Sequence, residues 1–223
     1  MKARELIATA TVPGGGSLRL FRHDGDHVIM LDAYELMSSR VGGSEEALAT
    51  MTCERLRKTA DPHLLVGGYG MGFTLRAALS VLGANARVTV AELMPEIIDW
   101  ARGPMAALTD GCLDDPRVRL ITGDVAAEIA SATRRYHAIL LDVDNGPSGL
   151  TRASNDGLYS FKGLAAAKAA LRPGGILAIW SATADAHFTR RLETSGFKVE
   201  QVTVRARSNG KGPRHIIWFA QRT

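Results

Sequence analysis

The segment His63–Gly72, HLLVGGYGMG, decides the fold, because it joins an apolar run to a turn that contains four glycines. A continuous apolar run is typical of a strand that is buried on both faces of a parallel sheet. The glycines allow the chain to turn sharply and to approach a ligand closely. The apolar spacing of GFTLRAALSVLG (72–83) predicts that a helix follows. We therefore expect a ligand near this turn, since open α/β sheets bind ligands at the carboxyl ends of their strands.

The alternation of strand and helix continues to the end of the chain. The further predicted strands are RVTVAEL (87–93), RVRLITGD (117–124), YHAILLDVD (136–144), ILAIWSA (176–182), FKVEQVTVRA (197–206) and HIIWFAQ (215–221). The helices between them are PEIIDWARGPMAAL (95–108), VAAEIASAT (125–133), SFKGLAAAKAALRPGG (160–175) and AHFTRRLETSG (186–196). This order predicts an α/β fold, a Rossmann-like, doubly wound, mostly parallel sheet of about seven strands. The last two strands, joined by a polar segment, are expected to form an antiparallel hairpin.

The N-terminal residues have a different pattern. SLRLFRHDG (17–25) and HVIMLDAYEL (27–36) alternate apolar and polar positions, and Asp24-Gly25 between them is a hairpin turn signal. Ser44 precedes a helical pattern and is predicted to cap that helix. We therefore divide the chain into a small β-strand appendage, residues 1–43, and a Rossmann-like catalytic domain, residues 44–223.

Composition and charge limit the classes of function. The chain has 223 residues, of which 46% are hydrophobic and 22% charged, as in an ordinary globular protein. Cys53 and Cys112 are too few for a disulfide framework, and no apolar run approaches the ~18 residues of a membrane span. A cytoplasmic protein is therefore expected. The net charge of +4 is not organised into basic runs with interleaved aromatics, which argues against nucleic acid as a partner.

The glycine turn narrows the class of ligand. A nicotinamide fingerprint would need a third glycine where Phe73 stands, and no Gly-Lys-Ser/Thr triplet of a P-loop follows. What remains is G-x-G-x-G at Gly68, Gly70 and Gly72, which favours an adenosine that carries an amino-acid tail. A tight turn without a ligand stays open as the alternative.

Acidic residues end the next three predicted strands. Glu92 is placed to accept hydrogen bonds from ribose hydroxyls, Asp124 to hold the adenine amino group, and Asp142 lies on the same edge. The alternative for each is a helix cap. The predicted contacts to the bound nucleotide are Gly67, Gly68, Tyr69, Gly70, Gly72, Glu92, Leu93, Asp124, Val125 and Asp142.

These segments resemble the class I S-adenosylmethionine-dependent transferases, and among them the spermidine synthase-like group. The resemblance lies in the N-terminal strands, VAELMPEIIDWAR (90–102), DPRVRLITGD (115–124), LLDVDNGP (140–147) and GLYSFKGL (157–164). The resemblance implies that Asp142 is the acidic residue whose carboxylate removes a proton from the attacking amine. Two positions differ: Tyr69 stands where that group has an Asp for the donor amine, and Glu45-Glu46 where it has a Tyr-Gln pair.

Asp142 and Asp144 are the candidate bases, since two close carboxylates raise one pKa toward neutrality. A simple turn role for Asp144 stays open. Tyr159 is a candidate to close over the acceptor, with a place in the core as the alternative. His215 is expected at the surface. No metal-ligand spacing and no G-x-S-x-G elbow occur in the sequence, so we expect no catalytic metal.

Tyr69 leads us to predict a methyltransferase that uses S-adenosylmethionine and acts on a small-molecule acceptor. The first alternative is a polyamine aminopropyltransferase that uses decarboxylated S-adenosylmethionine. A second is a non-catalytic nucleotide-binding regulator. A homodimer is expected, because exposed N-terminal strands favour edge pairing and because the resembling group commonly associates in this way.

Overall fold

The computed structural model describes residues 4–12, 15–143 and 156–223, and its strands form two separate sheets. The N-terminal antiparallel sheet consists of β1 (Glu5–Thr11), β2 (Ser17–His23), β3 (Asp26–Leu31) and β4 (Tyr34–Ser38). Asp24 and Gly25 both have positive φ, which is the conformation a tight hairpin turn requires. The single strand expected over 27–36 is wrong, because a second turn with Asp32 at φ 52° divides it.

The large sheet confirms the predicted fold class. Its strands are β5 (His63–Gly67), β6 (Arg87–Glu92), β7 (Val118–Thr122), β8 (Tyr136–Leu141), β9 (Leu171–Ser181), β10 (Phe197–Arg205) and β11 (Arg214–Arg222). They lie in the order β10-β11-β9-β8-β5-β6-β7. β11 runs antiparallel to both of its neighbours, whereas the other pairs are parallel. The expected C-terminal hairpin is thus β10 with β11.

The helices are α1 (Gly43–Arg55), α2 (Phe73–Val81), α3 (Pro95–Arg102), α4 (Ala106–Thr109), α5 (Val125–Ser131), α6 (Asp156–Tyr159), α7 (Phe161–Ala170) and α8 (Ala186–Thr194). Pro95 occupies the first turn of α3, as predicted. The continuous helix expected over 95–108 is wrong, because it breaks after Arg102. Pro104 has no amide hydrogen and disfavours a helical conformation of Gly103 before it.

The prediction that Ser44 caps α1 is also wrong. The helix begins at Gly43, after Gly42, and no side chain caps it. The amide of Gly43 instead donates to the carbonyl oxygen of Ala206, at 2.9 Å. The turn between β10 and β11 therefore holds this helix end, and the hydroxyl of Ser44 is left for other partners.

The N-terminal sheet and the large sheet share one hydrophobic cluster. Leu20 and Ile29 of the former belong to the same cluster as Val66 of β5 and Trp100 of α3. The division at residue 43 therefore stays a prediction, since residues on both sides of it contribute to one cluster. Within the described ranges, no helix has both the length and the apolar character needed to cross a membrane.

The strand order creates a crevice beside β5. From β5 the chain proceeds outward through β6 and β7, and then returns to β8 on the other side of β5. Such a reversal is where doubly wound sheets bind ligands. At this point the amide of Asp142 donates to the carbonyl oxygen of Gly67, at 3.0 Å. The glycine turn and Asp142 are thus adjacent.

Candidate functional site

The turn after β5 needs its glycines for two reasons. Gly68, Gly70 and Gly72 have φ of 84°, 54° and 78°, a region that side chains disfavour. A Cβ on Gly68 would also lie 2.3 Å from the backbone oxygen of Asp142. The turn is therefore pressed against the segment that follows β8, and only glycine fits there.

Glu92 connects the end of β6 to this turn. It is buried, and its Oε2 accepts a hydrogen bond from the amide of Tyr69, at 2.8 Å. Its Oε1 accepts from the amide of Met94, also at 2.8 Å. Each carboxylate oxygen can accept a second hydrogen bond. Glu92 is therefore held in one orientation and retains acceptor capacity for a ligand.

A first cavity, of about 140 Å³, opens beside these groups. Seven of the predicted nucleotide contacts line it: Gly68, Gly70, Glu92, Leu93, Asp124, Val125 and Asp142. The N-terminal sheet and the segments next to it supply apolar walls, from Val12, Leu18, Leu31, Leu36 and Met37. This second contribution could not be predicted from the sequence, because it depends on how the two sheets pack.

The other three predicted contacts are Gly67, Tyr69 and Gly72, and they are not among the described residues that line the first cavity. Gly67 packs against Val125, since a Cβ on it would lie 2.8 Å from that side chain. The hydroxyl of Tyr69 lies 3.4 Å from Sγ of Cys112. The backbone of Tyr69 holds the turn, because its amide donates to Glu92 and its carbonyl oxygen accepts from the amide of Gly72, at 2.8 Å.

Asp124 caps a helix and also lines the first cavity. Its Oδ1 accepts a hydrogen bond from the amide of Ala126, at 2.8 Å, and so caps α5. The residue is exposed and lines the first cavity. Capping fixes the direction of its carboxylate, which leaves the second oxygen available to a ligand.

A second cavity, of about 90 Å³, adjoins the first. Four residues line both cavities: Leu36, Met37, Gly70 and Asp142. Glu45 of α1 and Trp180 of β9 line only the second. Asp142 therefore stands between two spaces, with one carboxylate partner, Glu45, in the second.

Burial dominates the electrostatics of this acidic pair. Burial raises the pKa of Asp142. This effect outweighs the hydrogen bond that Thr74 Oγ1 donates to Oδ2 of Asp142, at 2.6 Å, which lowers the same pKa. Burial also raises the pKa of Glu45, and the nearby Asp142 carboxylate raises it further. The two groups favour a state in which they share one proton, which leaves one of them ionised as a base.

The Glu45 carboxyl group makes stability depend on pH. Because its pKa is raised in the fold, the stabilisation is full below the usual value of 4.5 and is lost as pH rises through the folded value. A Glu45→Gln variant does not ionise. We expect its free energy of unfolding, relative to the unsubstituted protein, to rise by up to about 1.4 kcal/mol per pH unit over that window. Urea unfolding at pH 5 and pH 8 measures this difference.

The matched control is Glu54→Gln, an exposed carboxylate on the same helix. Its effect on unfolding should not change between the two pH values. An effect of Glu45→Gln that is equal at pH 5 and pH 8 contradicts the prediction.

The three predicted catalytic residues have different outcomes. Asp142 lies at the junction of the two cavities. Asp144 falls outside the described residues. Tyr159 is buried, and its ring meets Phe188 edge to face, with centroids 5.6 Å apart. It lies in the hydrophobic cluster beneath α7 and α8, a position that favours the core alternative over the acceptor-closing role.

Sequence reasoning missed several polar residues around the second cavity. His215 was expected at the surface, but its Nδ1 lies 2.8 Å from the Ser44 hydroxyl, and its ring packs against Trp180. Thr74 had no predicted role and bonds Asp142. The one available signal was the Glu45-Glu46 position, where the sequence differs from the family that it resembles.

No known family model matches the chain. It is 32% identical over 120 residues to polyamine aminopropyltransferase 2 of Pseudomonas aeruginosa, a stretch that covers 52% of this chain and 32% of that protein. It is also 32% identical over 124 residues to polyamine aminopropyltransferase 1 of Streptomyces coelicolor, covering 54% of this chain and 22% of the relative. The matched stretches thus span a third or less of these two relatives.

Solved structures agree over nearly the whole chain. Spermidine synthase from Thermotoga maritima has a TM-score of 0.76 at 19% identity, covering 98% of this chain and 73% of the other. A spermidine synthase in complex with the transition state analogue AdoDATO has a TM-score of 0.74 at 18% identity, with the same coverage. The predicted resemblance to the spermidine synthase-like group is confirmed, and the structures share the fold.

The prediction of a methyltransferase is wrong. The similar curated proteins are polyamine aminopropyltransferases, which was the alternative. The error came from Tyr69, which was interpreted as the loss of a charge that a decarboxylated donor needs.

Proposed function

We propose that this chain transfers an aminopropyl group from decarboxylated S-adenosylmethionine to a small amine. The observation that carries the proposal is the position of Asp142, which lies where a donor cavity and an acceptor cavity meet. The similarity to polyamine aminopropyltransferases supports the same reaction.

The residues of the first cavity fit an adenosyl group. Gly68 and Gly70 leave space that side chains would fill, apolar residues wall the cavity, and Glu92 retains acceptor capacity for ribose hydroxyls. Three carboxylates line this space, from Glu92, Asp124 and Asp142, and no lysine or arginine does so among the described residues. Such a wall favours a cationic tail over one that carries a carboxylate, which supports the decarboxylated donor.

The donor supplies a sulfonium leaving group, so the chain's residues have mainly to align the reactants and to remove a proton. The acceptor ammonium binds in the second cavity beside Asp142 and Glu45. Asp142, with its raised pKa, takes the proton that must leave before the nitrogen can attack. Thr74 fixes the Asp142 carboxylate during this step.

The experiment that tests the proposal compares the two donors. Calorimetry should show tighter binding of decarboxylated S-adenosylmethionine than of S-adenosylmethionine. Mass spectrometry should then detect an amine product that has gained an aminopropyl group. Equal or reversed donor preference, or no product with a panel of small amines and diamines, contradicts the proposal.

We also propose that the protein acts as a homodimer in the cytoplasm. The edge strands β1 and β4 of the N-terminal sheet support the dimer, because Leu6 and Tyr34 on them are exposed. Light scattering of the purified protein measures its mass, and a monomeric mass contradicts the dimer.

A further inference from the structure

The proposed reaction must release a proton. The acceptor nitrogen is an ammonium at neutral pH, so one proton must leave it before it can attack. The nitrogen then forms its bond to the donor carbon as the carbon–sulfur bond breaks onto sulfur. Asp142 receives this proton at the junction of the two cavities. With both reactants bound, those cavities are filled, so water has little access to Asp142. The proton therefore needs a route through side chains.

A chain of polar groups leads away from the second cavity. Glu45 lines this cavity together with Asp142. Oε2 of Glu45 lies 2.6 Å from the hydroxyl of Ser44, and the same hydroxyl lies 2.8 Å from Nδ1 of His215. Ser44 is fully buried, whereas His215, at the start of β11, is partly exposed. The chain thus runs from the acidic pair, through a buried hydroxyl, to a group that reaches solvent.

We propose that Ser44 and His215 form an outlet for the proton that the acceptor amine releases, an inference that rests on the proposed function. Ser44 carries one hydroxyl hydrogen, so it can donate to only one neighbour at a time. Glu45 takes up the proton of Asp142 in the second cavity, which both residues line, and gives a proton to Ser44. Ser44 then passes its own proton to Nδ1 of His215. The imidazolium then releases a proton from Nε2 to water, and no proton is gained or lost along the chain.

The surroundings of His215 suit this role. Burial lowers the pKa of His215, so the ring is neutral and able to accept a proton. Its ring packs edge to face on Trp180, with centroids 4.8 Å apart, which fixes its orientation. The ionisable groups on the elements around it are Glu45 and Glu46 on α1, Arg205 on β10 and Arg214 on β11, while β9 places Trp180 and Ser181 there.

His215→Asn tests the outlet, because asparagine can still accept a hydrogen bond from Ser44 but cannot carry a proton. We expect kcat to fall by about tenfold or more, with the KM of donor and acceptor unchanged, since one proton-transfer group is lost. Imidazole added to the buffer should restore part of the rate. His187→Asn, an exposed histidine of α8, is the matched control and should leave the rate unchanged. A merely structural role for His215 predicts no rescue by imidazole.

Ser44→Ala removes the middle of the chain and should lower kcat to a similar extent without rescue by imidazole. In the resting protein, NMR titration of His215 should shift when Glu45 is changed to Gln, and this shift should vanish in the Ser44→Ala background. Two results overturn the outlet: an unchanged kcat in His215→Asn, or a His215 titration that is the same with and without Glu45→Gln. Absence of product from the unsubstituted protein overturns the proposed function instead, so the two failures are distinct.

Discussion

An Asp142→Asn variant is expected to lose the proposed aminopropyl transfer almost completely, with kcat reduced about 10²–10⁴-fold, the usual contribution of a positioned base. The amide has nearly the same shape, and it can still accept the hydrogen bond from Thr74. It cannot accept the proton of the acceptor ammonium. Donor affinity should change much less than kcat, because the glycine turn and Glu92, which line the same cavity, are unaltered. Steady-state rates and donor calorimetry on the same preparation separate the two effects.

Asp99→Asn is the matched control for this change, since it removes an exposed carboxylate from α3. Its rate should equal that of the unsubstituted protein. Transfer by Asp142→Asn at more than a tenth of the normal rate contradicts base catalysis. A non-catalytic nucleotide-binding regulator, the remaining alternative, predicts that Asp142→Asn has no consequence for its role.

The pH dependence of the rate gives a second measure of Asp142, because the fall in rate toward acid pH reports the protonation of this base. Burial raises the pKa of Asp142, so this base is protonated, and activity is lost, at a higher pH than is usual for an aspartate. Coupling to Glu45 means that the apparent value belongs to the pair. Replacing Glu45 by Gln leaves Asp142 as the only titrating group of that pair, so the fall in rate toward acid pH should then follow a single protonation.

The features that sequence predicted correctly are local ones. The apolar run before Gly67 and the alternation of strands and helices determine a parallel sheet, because each can be read within a dozen residues. Asp24-Gly25 likewise forms the expected turn. The errors lie where a distant segment decides the local structure. Ser44 does not cap α1, because the backbone of Ala206 already binds the amide of Gly43.

For the same reason, only the first cavity of the candidate site could be predicted from the sequence, and the second could not. The first cavity, which we propose as the donor site, is lined by residues at the carboxyl ends of parallel strands. The sequence predicts that these ends lie at one edge of the sheet. The acceptor cavity brings together Glu45, Asp142 and Trp180, which are far apart in the chain. The proposed preference for a decarboxylated donor was missed. The sequence indicates which carboxylates exist, but not that they line one cavity to which no basic residue among the described ones contributes.

Gly68→Ala is expected to have the largest effect on stability among changes at the site. A side chain at φ 84° costs about 1–2 kcal/mol. Its Cβ would also lie 2.3 Å from the backbone oxygen of Asp142, so β5 and β8 must shift apart at their carboxyl ends. Such overpacking costs about 1–3 kcal/mol more. We therefore expect the free energy of unfolding to fall by about 2–5 kcal/mol, as measured by urea denaturation.

The same displacement affects the donor, because Gly68 and Asp142 both line the first cavity. Donor affinity should fall at least about tenfold, which corresponds to ~1.4 kcal/mol, under conditions where the variant is still folded. Gly83→Ala is the matched control, since no heavy atom lies within 4 Å of a Cβ there. It should preserve both stability and affinity. Normal donor binding by Gly68→Ala would mean that the turn does not contact the nucleotide, and the donor cavity would have to be reassigned.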